Sequence, residues 1–353
     1  MDEINDVRKY TEFKGITFSK FKKSLVKKEF IQSLLANKVE AACYWSAELI
    51  CAGHFKDLWE CIIVYMGKYI HLGNPKLPIY LELRFNNFKE IIINGYLDDE
   101  LSLRNNLKIR QIFAEIILVL CFSKKKHSFE TIKLNKDEEF NMTYIASKLK
   151  ATSLDFGNSS FEKDDPKEIF IAVNEFAFNI SKNIKNSVIA CYWFEWLLEY
   201  ENICKKKKEK CEAERRSFAP VQDKFQKDYI WILWDILLKE CHKQSNPLKS
   251  KILNSLLSLF SIRYSAASKK KFRFIFYYAV TLIVDNNKLD FDIIDDKKSI
   301  ENIVKRINFV YKDIIKNQIA PDTDYLFSGL DKKSNLDKTR ERLEKMNQII
   351  DKT

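Results

Sequence analysis

Four histidines, eight cysteines and a few acid clusters are the residues of this 353-residue chain whose types could do chemistry. His54, His71, His127 and His242 form no His-Glu-x-x-His or His-x-x-x-His pair, so two imidazoles never share a helix face at zinc-binding spacing. His71 and His242 each stand just ahead of an Asn-Pro, where a histidine in the last turn of a helix bonds free carbonyls. That structural role is preferred to ligand or base. Cys204 and Cys211, joined by Cys241-His242, would make a zinc set, but six residues separate the first pair and dense lysines repel a cation. Asp290, Asp292, Asp295 and Asp296 could hold a divalent ion, although turn and cap duty is the commoner use of such a cluster. No G-x-x-x-x-G-K-[ST] phosphate cradle exists, and no Ser or Cys nucleophile pairs with a base. The expectation is a non-enzymatic chain with no cofactor and no metal.

Positive charge is the remaining signal. Net charge is +11, and lysine far outnumbers arginine. Together with abundant Asn, Ile and Phe this suggests an A/T-rich coding sequence, so composition accounts for part of the basicity and clustering for the rest. Lys20, Lys22, Lys23, Lys27 and Lys28 spread around a first helix, and Lys124 to Lys126 end another. The candidate contacts for nucleic acid or a protein partner are Lys205, Lys206, Lys207, Lys208, Lys210, Arg215 and Arg216, then Lys269, Lys270, Lys271 and Arg273. Solvated surface, phosphate contact and an acidic protein partner all remain open for them.

The elements that must position these residues are helices. Only 7 glycines and 6 prolines occur, too few for sandwiches or nucleotide-binding loops that need positive φ and close backbone approach. Apolar residues make up 46% of the chain, enough for a core, and the length favours two units over one. The longest apolar runs, Ile112–Phe122 and Phe274–Val284, fall short of the ~18 residues that span a bilayer. The N-terminus, MDEINDVRKY, is polar rather than signal-like. The cysteines mostly fall inside apolar helical patterns, as buried reduced thiols of a cytoplasmic or nuclear protein would.

Four landmarks recur in order. Ala42-Cys43-Tyr44-Trp45 returns as Ala190-Cys191-Tyr192-Trp193, and Leu58-Trp59-Glu60 as Leu233-Trp234-Asp235. His71 before Asn74-Pro75 returns as His242 before Asn246-Pro247, and Lys108 to Phe113 as Lys271 to Phe276. Phe30 and Phe178 stand thirteen residues before the first cysteine of each motif. Apolar phases agree as well: 42, 45, 49 and 52 match 190, 193, 197 and 200. The sequence thus predicts an all-α fold of two divergent tandem repeats. An N-terminal arm covers 1–24, repeat one 25–150, a linker 151–168 and repeat two 169–330. A basic insertion at 200–228, absent from the first repeat, is expected to project into solvent. Residues 331–353 read as an amphipathic tail, with Leu336, Leu343 and Ile350 at heptad spacing. The aromatic residues at the repeated helical positions, Trp45, Trp59, Trp193 and Trp234, read as core.

Ala41 to Trp45, then Ala52-Gly53, then Ile70 to Pro75, resembles the C-terminal helical region of the MgsA/RarA recombination-associated ATPases of the clamp-loader clade. The nine-residue step from Tyr44 to Gly53 matches that family and the second step is one residue short. His54-Phe55 replaces its Asp-Pro, and its ATPase core is missing. The resemblance covers residues 41–78 and implies a collar-like module serving oligomerisation and contacts with replication proteins, without the motor. The composition is also similar to that of large DNA virus proteins. The functional expectation is a helical adaptor or scaffold that binds proteins and nucleic acid in DNA replication or repair, with no membrane span. The alternative is a structural or virion-associated protein with no nucleic-acid role.

Overall fold

The computed structural model describes residues 3–319, apart from 98, 287, 295 and 296. The tail at 331–353, with Leu336, Leu343 and Ile350, lies outside the described residues, as do Asp295 and Asp296 of the acid cluster. The fold is all-α. Among the described residues the extended pairing amounts to one isolated antiparallel bridge, Ile16 with Lys22.

Five helices form a first run: α1 (Lys23–Leu35), α2 (Val39–Cys51), α3 (Phe55–Tyr65), α4 (Leu77–Ile93) and α5 (Leu107–Phe122). Two short turns follow, α6 (Lys136–Glu139) and α7 (Met142–Ala146). The second run comprises α8 (Phe170–Ile180), α9 (Ser187–Lys207), α10 (Ile230–Lys243), α11 (Pro247–Phe260), α12 (Ser268–Lys271) and α13 (Arg273–Val284). Then come α14 (Lys297–Lys305) and α15 (Asn308–Ile315).

Asparagine starts many of these helices. Asn106, Asn186 and Asn246 each accept a backbone N–H three residues on, from Ile109, Ile189 and Lys249, which satisfies a donor the helix cannot. Pro247 then occupies the first helical position, where its missing N–H costs nothing. The first Asn-Pro behaves differently. Asn74 is buried and its amide donates to Ser123 Oγ and the Ile293 carbonyl, and α4 begins only at Leu77.

Aromatic packing at the two tryptophan landmarks is alike. Trp59 lies 5.7 Å from Phe88 and 5.4 Å from Phe113. Trp234 lies 5.5 Å from Phe260 and 5.4 Å from Phe276. The tyrosine–tryptophan steps agree too, 5.1 Å for Tyr44–Trp45 and 5.0 Å for Tyr192–Trp193. Environment separates the latter pair: Trp193 is fully buried, whereas Trp45 is half-buried beside Phe21.

The two runs pack against each other through α4 on α11 and through α13 on the turn Met66–Ile70. Gly67 permits the second contact, since a Cβ there would meet Ile275 Cδ1 at 2.8 Å and the Phe274 backbone at 3.0 Å. Each run also covers the other's Ala-Cys-Tyr-Trp helix. From the end of the second run, α15 packs on α2, burying Tyr311 with its ring 4.1 Å from the Arg110 guanidinium. From the end of the first run, Glu139 accepts from the Trp196 indole N–H at 3.0 Å, while Phe140 stacks near Trp196 on α9. The N-terminal arm is tied down as well: Val7 N–H donates to the Ile319 carbonyl and Ile4 N–H to Asn105.

Residues 151–168 are not a loose tether. Asn174 and Glu175 on α8 are buried and hold Ser153, Gly157, Lys150 and Ala151 through backbone hydrogen bonds. A segment poor in apolar residues is ordered here because buried side chains take up its polar backbone.

Candidate functional site

The basic insertion meets the expectation of a solvent-exposed extension in its lysine stretch, residues 205–210, and departs from it beyond. Its first residues continue α9 to Lys207, and Lys208 closes the helix in the left-handed region at φ 59. The remainder folds back on the 151–168 segment. Arg216 is buried there, its guanidinium 2.5 Å from the Asp165 carboxylate and donating to the Ser160 carbonyl at 3.0 Å. Ala213, Ala219 and Gln226 are buried around it. An arginine so neutralised has no charge to offer a phosphate, so Arg216 leaves the set of candidate contacts.

Lys269 leaves it for the same reason. It is 1% exposed, salt-bridged to Glu201 and 2.9 Å from Asp228, which also accepts from the Tyr264 hydroxyl at 2.8 Å. Burial pulls the Lys269 amine down, but the two carboxylates outweigh it and hold the pKa above the ordinary lysine value. This is a structural ion cluster linking α12, α9 and the end of the insertion.

Around it the other candidates divide. Lys270 lies 3.8 Å from Glu199, Lys271 3.0 Å from Glu60, and Arg273 3.6 Å from Glu195. Arg215 bonds Asp223 at 2.9 Å and Gln226 at 2.6 Å. Lys205 stands 3.9 Å from Glu201, so Glu201 joins Lys205 and Lys269, which the sequence keeps 64 residues apart. Lys206, Lys207, Lys208 and Lys210 are exposed with no carboxylate partner among the described residues. They crowd the C-terminus of a 21-residue helix, whose dipole favours cations but does not neutralise them.

His71 does not bond the free carbonyls of a helix end, as its place ahead of Asn74-Pro75 suggested; its partner is a side chain of α13. His71 is buried, stacked 4.6 Å from the Tyr278 ring, with Nε2 3.0 Å from Thr281 Oγ1. Burial, then Lys126, holds its pKa down at about 3. His54 Nε2 lies 2.7 Å from the Ile16 carbonyl, and His242 is exposed in the last turn of α10. Burial first, then the neighbouring Cys204 thiol, pushes the Cys211 thiol up to about 12. Among the described residues no three His, Cys, Asp or Glu side chains gather as a metal site. Asp290 is salt-bridged to Lys76. No described helix is long and apolar enough to cross a membrane.

Sequence reasoning located the lysines but not their partners. Glu199, Glu201 and Asp228 are unremarkable in sequence, and only the approach of α12 to α9 and to the end of the insertion turns them into counter-charges.

Comparison with family models, with curated proteins and with solved structures found no match.

Proposed function

We propose that this chain is a helical adaptor that binds nucleic acid through the lysine tip of α9 and carries protein partners on the rest of its surface. The setting would be DNA replication or repair, as the resemblance of residues 41–78 implies. One observation carries the reading: Lys206, Lys207, Lys208 and Lys210 lie exposed and unneutralised beside cations that are almost all paired. A cluster left unpaired at a helix end suits phosphates, which accept from ammonium groups without demanding a particular base. The free thiols fit a reducing compartment, cytoplasm or nucleus. The matched order of helices and the matched tryptophan clusters support a duplicated unit as the scaffold.

Replacing Lys205–Lys208 by Ala tests the nucleic-acid contact in a gel-shift assay over a salt series. Binding should weaken similarly for every sequence, and the slope of log K against log[salt] should shallow by about one unit per lost contact. Unchanged binding, or no salt-dependent binding by the wild type, leaves the structural or virion-associated role instead.

A further inference from the structure

A cleft of about 480 Å³ opens between α3 and α4 on one side and the turn after α11 on the other. Trp59, Phe85, Phe88 and Ile92 line it, and Lys56, Lys89 and Arg263 stand around it.

The second run shows what belongs in such a space. Lys56 precedes Trp59 by three residues, and Trp231 precedes Trp234 by three. Ile92 follows Phe88 by four residues, and Tyr264 follows Phe260 by four. In the second run both of these positions are aromatic and buried. The Trp231 and Tyr264 rings lie 4.9 Å apart, and the Trp231 indole N–H donates to the Phe225 carbonyl at 2.7 Å. In the first run an exposed lysine and a half-buried isoleucine replace the two rings, and a cleft remains.

Charge defines the rest of the occupant. None of Lys56, Lys89 and Arg263 has a carboxylate partner among the described residues. Lys89 lies 5.3 Å over the Phe85 ring. Arg263 is held in the left-handed region at φ 49 and is exposed at the cleft. Two acids also line the cleft: Glu60 already serves Lys27 and Lys271, and Glu100 stands at the edge, so three cations face one carboxylate not engaged in a salt bridge among the described residues. An exposed guanidinium and two exposed lysines around a cleft floored by aromatic rings are complementary to an anion joined to a ring.

We propose that this cleft binds a small molecule in which a flat aromatic ring carries a phosphate or carboxylate. The ring seats where the second run places its Trp231 indole, and the anion meets Arg263, Lys89 and Lys56. The site is independent of the lysine tip of α9.

The test uses the full chain and 1-anilinonaphthalene-8-sulfonate, whose sulfonate stands in for the natural anion, followed by fluorescence. The wild type should bind one molecule per chain. Arg263→Ala should weaken binding roughly tenfold, as loss of a charged hydrogen bond does. Lys56→Trp, which rebuilds the second run's packing, should abolish binding while melting at or above the wild-type temperature. The neutral N-phenyl-1-naphthylamine should bind at least tenfold more weakly than the sulfonate. Wild-type affinity in Arg263→Ala, or equal affinity for the neutral probe, overturns the proposal, and so does retained binding in a folded Lys56→Trp. Should Lys56→Trp fail to fold, the Arg263→Ala and neutral-probe results decide alone.

Discussion

At the scale of single residues, burial decides which charges are available and which are committed. His71 illustrates how a titratable group becomes structural: wedged on Tyr278 and bonded to Thr281, its folded pKa is about 3 against an ordinary 6.5. In that window the unfolded imidazole takes a proton that the folded one refuses, so stability falls as pH drops from about 6.5 towards 3. The slope contributed by this one group is roughly 1.4 kcal/mol per pH unit. His54, lowered by burial, acts in the same direction. Below pH 4 Asp6 adds to the loss. Burial raises its carboxyl, but the Arg8 guanidinium and the Ile319 and Arg8 backbone N–H groups more than offset this, and their stabilisation disappears as the pH falls through the folded pKa. Melting temperatures measured from pH 7 to pH 5 should therefore decline in the wild type and decline less steeply in His71→Gln, which retains a partner for Thr281 and leaves the smaller His54 contribution. Of this, the sequence suggested a structural role for His71. It could not reveal burial, because Tyr278 and Thr281 lie more than 200 residues away. The lysines follow the same rule. Their clustering was legible, but the buried pairing of Lys269 and Arg216 depends on Glu201, Asp228 and Asp165, which only tertiary packing brings near.

At the scale of elements, the asparagine signals were legible in type and misleading in one position. Asn246-Pro247 does what a cap followed by proline does, whereas Asn74-Pro75 has the same letters and a different task. Asn246→Ala should cost about 1 kcal/mol, the ordinary loss of an N-cap. Asn74→Ala should cost roughly twice as much or more, because it strands two buried partners, the Ser123 hydroxyl and the Ile293 carbonyl. Chemical denaturation of both variants compares them, and equal losses would mean that Asn74 serves only as a boundary. The helices themselves were readable from apolar spacing and scarce glycine. The course of the insertion was not, since nothing in its lysine-rich stretch announces that Arg216 will turn inward to Asp165.

At the scale of the whole molecule, the two runs are interlocked rather than strung together. The helix α2 is covered by α15, and α9 is covered by the segment that ends the first run. A chain of residues 1–150 made alone should therefore show reduced helicity and bind hydrophobic dyes, and mixing it with 151–353 should restore cooperative melting. If 1–150 melts cooperatively by itself, the exchange of covering segments is not needed for stability. No periodicity encodes this exchange, because it concerns which partner covers an apolar face and not which face is apolar. It does have a consequence for the order in which the protein is made. The ribosome finishes α2 early and adds its cover, α15, about 250 residues later, on the order of tens of seconds at ordinary elongation rates. Throughout that interval the nascent α2 holds an uncovered greasy face, so the growing chain should be a client for ribosome-associated chaperones, and its final closure should follow synthesis instead of accompanying it.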